Sequence, residues 1–202
     1  WGLLQPVADG VKFIFKEDIT PPHVNKILFT LAPLMVMVPA MISLALIPVG
    51  GSIEVAGETV MLEVADVNVG VLLIFAMSAM AVYGVFIGGY ASNNKFSLLG
   101  GMRASAQMIS YELPLGLAAV GVFMAAGSFR PRDIVDAQLY GVWNVVPQCI
   151  GFLVFTVSAF AETNRMPFDL PEAETELVGG YHTEYSAMKF GMFFMGEYAH
   201  MI

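Results

Sequence analysis

The sequence predicts an all-α fold, a polytopic transmembrane helix bundle with an N-terminal interfacial amphipathic helix. Three observations carry this prediction. Of the 202 residues, 57% are hydrophobic and only 13% charged, with a mean hydropathy of +0.71; soluble domains sit nearer half apolar and a quarter charged. Five apolar stretches each approach the ~20 residues that cross a hydrocarbon core. A densely acidic segment lies between the last two of them.

Residues 1–22 form the amphipathic helix and its closing turn. Leu3, Leu4, Val7, Val11, Ile14 and Phe15 recur at helical spacing, while Asp9, Lys12, Lys16 and Glu17 fall largely elsewhere on the wheel. Such a helix is too polar to span a bilayer and suits its surface. Asp18-Ile-Thr-Pro-Pro22 ends it. The bundle occupies 27–202, with spans at about 27–49, 69–91, 97–126, 142–161 and 186–202. Pro33 and Pro39 fall inside the first, where neighbouring helices can re-satisfy the backbone. The loop 50–68 carries Glu54, Glu58, Glu63 and Asp66 without a Lys or Arg. The third span is long enough to tilt, kink or extend beyond the membrane. Trp1 opens the chain and Ile202 closes it within an apolar run, which reads as a piece of a longer protein.

With the first helix on the inner side, seven of the nine basic residues share that side: Lys12, Lys16, Lys26, Lys95, Arg103, Arg165 and Lys189. Arg130 and Arg132 are left opposite. The bias places the acidic loop 162–185 on the cytoplasmic face. A net charge of -8 and the lack of a basic surface exclude a nucleic-acid binder. The single cysteine, Cys149, excludes an internal disulfide and a cysteine-held iron–sulfur cluster, and reads as a small apolar residue.

The acidic loop is the chemical centre. Within 161–185, Glu162, Asp169, Glu172, Glu174, Glu176 and Glu184 face one cation, Arg165. Pro167 and Pro171 stop the preceding helix, and the interleaved Phe168, Leu170, Leu177 and Val178 fold the loop inward. Glu172 and Glu176 share a face if 170–178 is helical. Carboxylates this close share protons, as a proton-input path requires; a solvated acidic surface is the plainer alternative. Inside the membrane, burying the charge of Glu112 would cost ~2.5 kcal/mol or more. It therefore faces a polar interior or stays protonated, its structural alternative being a neutral hydrogen bond to Tyr111 or a neighbouring helix. Glu197 has His200 three residues on, close enough for a proton relay; His200 could equally be a packed residue. No third ligand accompanies that pair, so no metal site is expected. A lone His182 reads as structural. No nucleophile–base pair, phosphate-binding glycine loop or haem pattern stands out.

The run Ala161-Glu-Thr-Asn-Arg-Met-Pro-Phe-Asp-Leu-Pro-Glu-Ala-Glu-Thr-Glu-Leu-Val-Gly-Gly-Tyr-His-Thr-Glu-Tyr185 and its continuation to Tyr198 resemble the H subunit of bacterial NADH:quinone oxidoreductase, respiratory complex I. Gly2-Leu-Leu-Gln-Pro-Val-Ala-Asp-Gly-Val-Lys-Phe-Ile-Phe-Lys-Glu-Asp18 and Ser110-Tyr-Glu-Leu-Pro114 extend the likeness over the chain. The resemblance implies the heel of a membrane arm in the cell inner membrane, framing the entrance through which quinone, the substrate, arrives from lipid. It implies partners in the hydrophilic arm and in neighbouring membrane-arm subunits, with NADH, FMN and iron–sulfur clusters held by partner subunits. No cofactor is expected on this chain alone. Glu112, Glu162, Glu172, Glu174, Glu176, Glu184 and Glu197 resemble the family's proton channel, and Arg165, Phe168 and Asp169 its loop beside the quinone cavity. The family has a further spanning helix before this chain and more after it. Two alternatives stand beside this reading: the homologous subunit of a membrane-bound hydrogenase or another complex I-like dehydrogenase, and a stand-alone proton-coupled transporter. The transporter would favour an inverted repeat, and none is visible.

Overall fold

The computed structural model describes residues 5–55, 58–139, 141–164, 168 and 179–201. Helices dominate it: α1 (Gln5–Phe15), α2 (Lys26–Ala45), α3 (Gly70–Ala91), α4 (Lys95–Ala126), α5 (Pro131–Leu139), α6 (Cys149–Glu162) and α7 (Ala187–Met201). A short antiparallel hairpin, β1 (Ser52–Val55) and β2 (Glu58–Met61), pairs Ser52 with Met61 and Val55 with Glu58 inside the loop after α2. The chain is a membrane helix bundle. Among the described helices, α2, α3 and α4 are long and apolar enough to cross a bilayer. Exposed apolar side chains such as Leu113, Leu117 and Met124 suit a hydrocarbon surrounding, as the same residues would not suit water.

Local chemistry sets the helix ends. Asn25 caps α2 by accepting from the Leu28 N–H, and Asn94 caps α4 by accepting from the Phe96 N–H. Gly127, at φ 68°, closes α4 in the left-handed conformation that glycine adopts without strain, its N–H bonding the Phe123 carbonyl. The 32 residues of α4 extend about 48 Å, well beyond a hydrocarbon core of ~30 Å. In the fourth apolar stretch, which opens near Val142, the helix begins at Cys149 and turns occupy 144–148. The Val146 N–H bonds the Trp143 carbonyl and the Gln148 N–H the Asn144 carbonyl there. The 14 residues of α6 reach about 21 Å, short of a full crossing.

Small residues let the helices approach. A Cβ on Gly89 would lie 2.6 Å from the Ser97 carbonyl oxygen across the α3–α4 crossing, and one on Gly84 would press on Val36 and the Ala32 carbonyl of α2. Phe29, Ala32, Val36, Val85, Met108, Tyr185 and Phe193 fill the core between α2, α3, α4 and α7. Tyr185 stacks on Phe29 at 4.0 Å and meets Phe193 edge-on at 4.8 Å. Its buried hydroxyl, pushed up by burial, stays a neutral donor to the Gly88 carbonyl.

Two ends of the bundle are distinct. At one, Arg130 pairs with Asp66 and Arg132 with Glu63 at 3.1 Å, tying α5 to the loop after the hairpin. At the other, the Ser186 hydroxyl accepts from the Ile19 N–H and donates to the Ile19 carbonyl. Lys189 bonds Asp18 and Thr20, both at 2.9 Å, with its ammonium over the Phe29 ring. Phe13 of α1 packs on Phe190 and Gly191 of α7, which leaves Val11, Ile14 and Phe15 pointing outward. Lys189→Met is expected to weaken this clamp by about 1 kcal/mol, the scale of a half-exposed ion pair. Limited proteolysis within residues 16–25 of the detergent-purified chain should quicken; an unchanged rate would show the clamp to be idle.

Candidate functional site

The site forms where the end of α6 enters the bundle. Glu162 is the last residue of α6, Glu112 lies in the middle of α4, and Ser78 lies on α3. Ser78 and Glu162 share the wall of one small pocket, and Glu112 is near enough for its charge to act on Glu162. Ser78 also donates to the Phe75 carbonyl at 3.0 Å. A hydroxyl has one proton. While Ser78 gives it to Phe75, a carboxyl engages the serine oxygen only by donating a proton of its own.

Behind the pair lies a small cavity of about 30 Å³, the space of about one water. Ser78, Glu162, Thr163, Asn164, Glu197 and His200 give it polar walls, and Val36, Val85, Met108 and Phe193 apolar ones. A second opening, a cleft of about 650 Å³, runs between α3, α4, α5 and α6 and is lined mostly by apolar side chains. Ser78, Glu162, Thr163 and His200 line both spaces. They form the partition between an apolar cleft and a polar pocket in the core. Among the described residues, the buried His200 Nε2 has no hydrogen-bond partner. That leaves it open to a group arriving in either space.

The structure thus brings Glu162 and Glu197 onto one pocket wall and sets Glu112 within electrostatic range of Glu162. Glu184 is apart: it accepts from Asn94 Nδ2 at 2.7 Å, at the turn between α3 and α4. Phe168 lies edge-on to Tyr111 with ring centroids 5.5 Å apart. Arg165, Asp169, Glu172, Glu174 and Glu176 lie outside the described residues. His182 packs against Tyr181 and Phe190 rings, as a structural histidine does.

Residues 1–202 match the family model described as NADH dehydrogenase. The chain belongs to that family. It is 52% identical over 216 residues to an H subunit of the NADH-quinone oxidoreductase of Koribacter versatilis, an alignment covering all of this chain and 61% of that protein. It is similarly 53% identical over 201 residues to an H subunit of the Cytophaga hutchinsonii enzyme, covering all of this chain and 59% of the relative. With the H subunit from Rhodospirillum rubrum the identity is 52% over 202 residues, again all of this chain and 57% of the relative. The chain spans 57–61% of the length of these relatives. The likeness read from 161–198 and the two shorter motifs therefore extends through the family's whole-chain match.

Sequence reasoning missed Ser78, Gln107, Asn164 and Asn94. The first two had a signal: each is a polar side chain set inside an apolar helix, where an unmet hydrogen bond is costly. Asn164, at φ 50°, follows α6 in the left-handed region that asparagine tolerates better than most residues.

Proposed function

We propose that this chain forms part of a membrane-arm subunit of a proton-translocating NADH:quinone oxidoreductase. In this role it frames the chamber where quinone is bound and couples quinone reduction to proton movement. The observation that carries the reading is the convergence of Glu162, Glu197, Ser78 and His200 on one water-sized cavity, with Glu112 near enough for its charge to act on Glu162, at the end of the helix that leads into the acidic loop. Family membership and relatives named as NADH-quinone oxidoreductase subunits support the same assignment. The chain works as one subunit of the enzyme, with electron carriers in its partners. Those partners are the hydrophilic-arm subunits that bind quinone and the neighbouring membrane-arm subunits.

In this reading the path starts at the loop carboxylates Glu172, Glu174, Glu176 and Glu184, and the loop residues Arg165, Phe168 and Asp169 serve the quinone cavity. It continues through Glu162 to Glu112 and Glu197. Reduction of quinone changes the charge at the loop, and the linked carboxyls answer by exchanging protons. The bias of basic residues supports placing the loop on the cytoplasmic side of the inner membrane, and the exposed Val11, Ile14 and Phe15 of α1 support its lying at the interface.

Glu112→Gln, introduced into the complete complex, tests the assignment. Protons moved per quinone reduced should fall about fivefold or more, the lower range of a coupling free energy between linked sites. Unchanged quinone reduction and unchanged pumping together would sink the proposed role of Glu112.

A further inference from the structure

Gln107 is a buried amide on α4 that takes no part in the carboxyl path described above. Its side chain is 7% exposed. Nε2 lies 2.8 Å from the Ala161 carbonyl oxygen, 3.1 Å from Asn164 Oδ1 and 2.8 Å from the Phe168 carbonyl oxygen. These acceptors belong to the last turn of α6, the turn after it, and the loop. An amide nitrogen has two protons, so three acceptors compete for them. Turning the amide over would set its oxygen against three oxygens, so the orientation is fixed by its surroundings. Among the described residues its own Oε1 has no donor.

Tyr111 lies one helical turn further along the same face of α4 and holds the Phe168 ring edge-on. Glu112 is the next residue after Tyr111, and Glu162 the next after Ala161. One face of α4 thus grips residue 168 by backbone and by ring, and each grip point adjoins a carboxyl of the coupled pair.

We propose that Gln107 is a positioning residue that transmits displacement of the loop at Phe168 to the Glu112–Glu162 pair. The proposal rests on the coupling role given above and names how the loop and the pair are connected. When the Phe168 carbonyl moves away, the amide keeps two acceptors, Ala161 O and Asn164 Oδ1. Its protons then settle on those two, and the end of α6 carrying Glu162 shifts relative to Ser78 and Glu112. Gln107 carries no transferable proton and acts only through its neighbours.

The test uses the full-length subunit in the assembled NADH:quinone oxidoreductase, comparing Gln107→Met with Glu112→Gln. Methionine keeps the volume and removes all three hydrogen bonds. Assembled complex and quinone reduction should stay within about twofold of the parent, while protons moved per quinone reduced fall about fivefold or more. Should Gln107→Met fail to assemble, Asn164→Gly removes one acceptor and keeps the left-handed backbone; a smaller drop in the same ratio is expected, and an unchanged ratio overturns the proposal. Normal pumping in Gln107→Met beside lost pumping in Glu112→Gln overturns the tether alone. Normal pumping in both overturns the coupling role and the tether with it. A parallel fall of reduction and pumping at normal assembly, leaving their ratio intact, marks a static scaffold and also overturns the tether.

Discussion

Glu162→Gln in the complete complex is expected to lower proton pumping by about one to two orders of magnitude, the upper range of coupling between linked sites. The side chain keeps its size and its capacity to hydrogen-bond, so packing is preserved. What is lost is the exchangeable proton. Glu162 is placed where this matters most: it faces Glu112, lines the polar pocket with Glu197 and His200, and lines the apolar cleft as well. Glu112 lines neither space, so its neutral variant should have the smaller effect. Ser78→Ala, which leaves both carboxyls in place and removes a hydroxyl from the pocket wall beside Glu162, should have a smaller effect than either. Pumping and quinone reduction measured on the same preparations give the ranking. Equal activity in Glu162→Gln and the parent would show that protons pass elsewhere.

Gly100→Ala is expected to destabilise the subunit by about 1–3 kcal/mol, the usual cost of forcing atoms into a filled space. A Cβ there would lie 2.8 Å from Gly180 Cα, Gly180 C and Tyr181 N. These are backbone atoms, so no side chain can swing away to make room. Gly180 itself sits at φ 67° at the start of the 3₁₀ turn Gly180–His182. The contact therefore fixes where the acidic loop returns to the bundle, and Tyr181 follows it into the core against Phe193. The thermal midpoint of the detergent-purified chain should drop by several degrees. A midpoint equal to the parent's would mean that the turn yields at no cost.

The helices were legible because hydrocarbon imposes a simple rule on sequence. Apolar runs near the crossing length mark α2, α3 and α4, and the Asn94 and Gly127 caps bound α4 close to its expected limits. The start of α6 was not. The apolar Val142, Trp143, Val145 and Val146 continue the hydropathy of α6, which cannot distinguish turns from helix. Glu112 and Glu197 stood out because charge in a membrane helix needs a reason. Ser78 and Gln107 did not, because uncharged polar groups cost less there, and their significance lies in distant partners. The three acceptors of Gln107 are 54, 57 and 61 residues away in sequence, a separation that no local pattern reveals. The bond from Asn94 to Glu184 joins residues 90 apart in sequence and is likewise invisible to local pattern.

The central claim is that quinone reduction changes the protonation of carboxyls in this bundle. The direct measurement is the redox-induced infrared difference spectrum of the complete complex in the protonated-carboxyl stretching region, parent against Glu162→Gln. The account predicts a carboxyl band that appears or disappears on quinone reduction, shifts in heavy water, and is lost in the variant while quinone is still reduced. An identical difference band in parent and variant would contradict it.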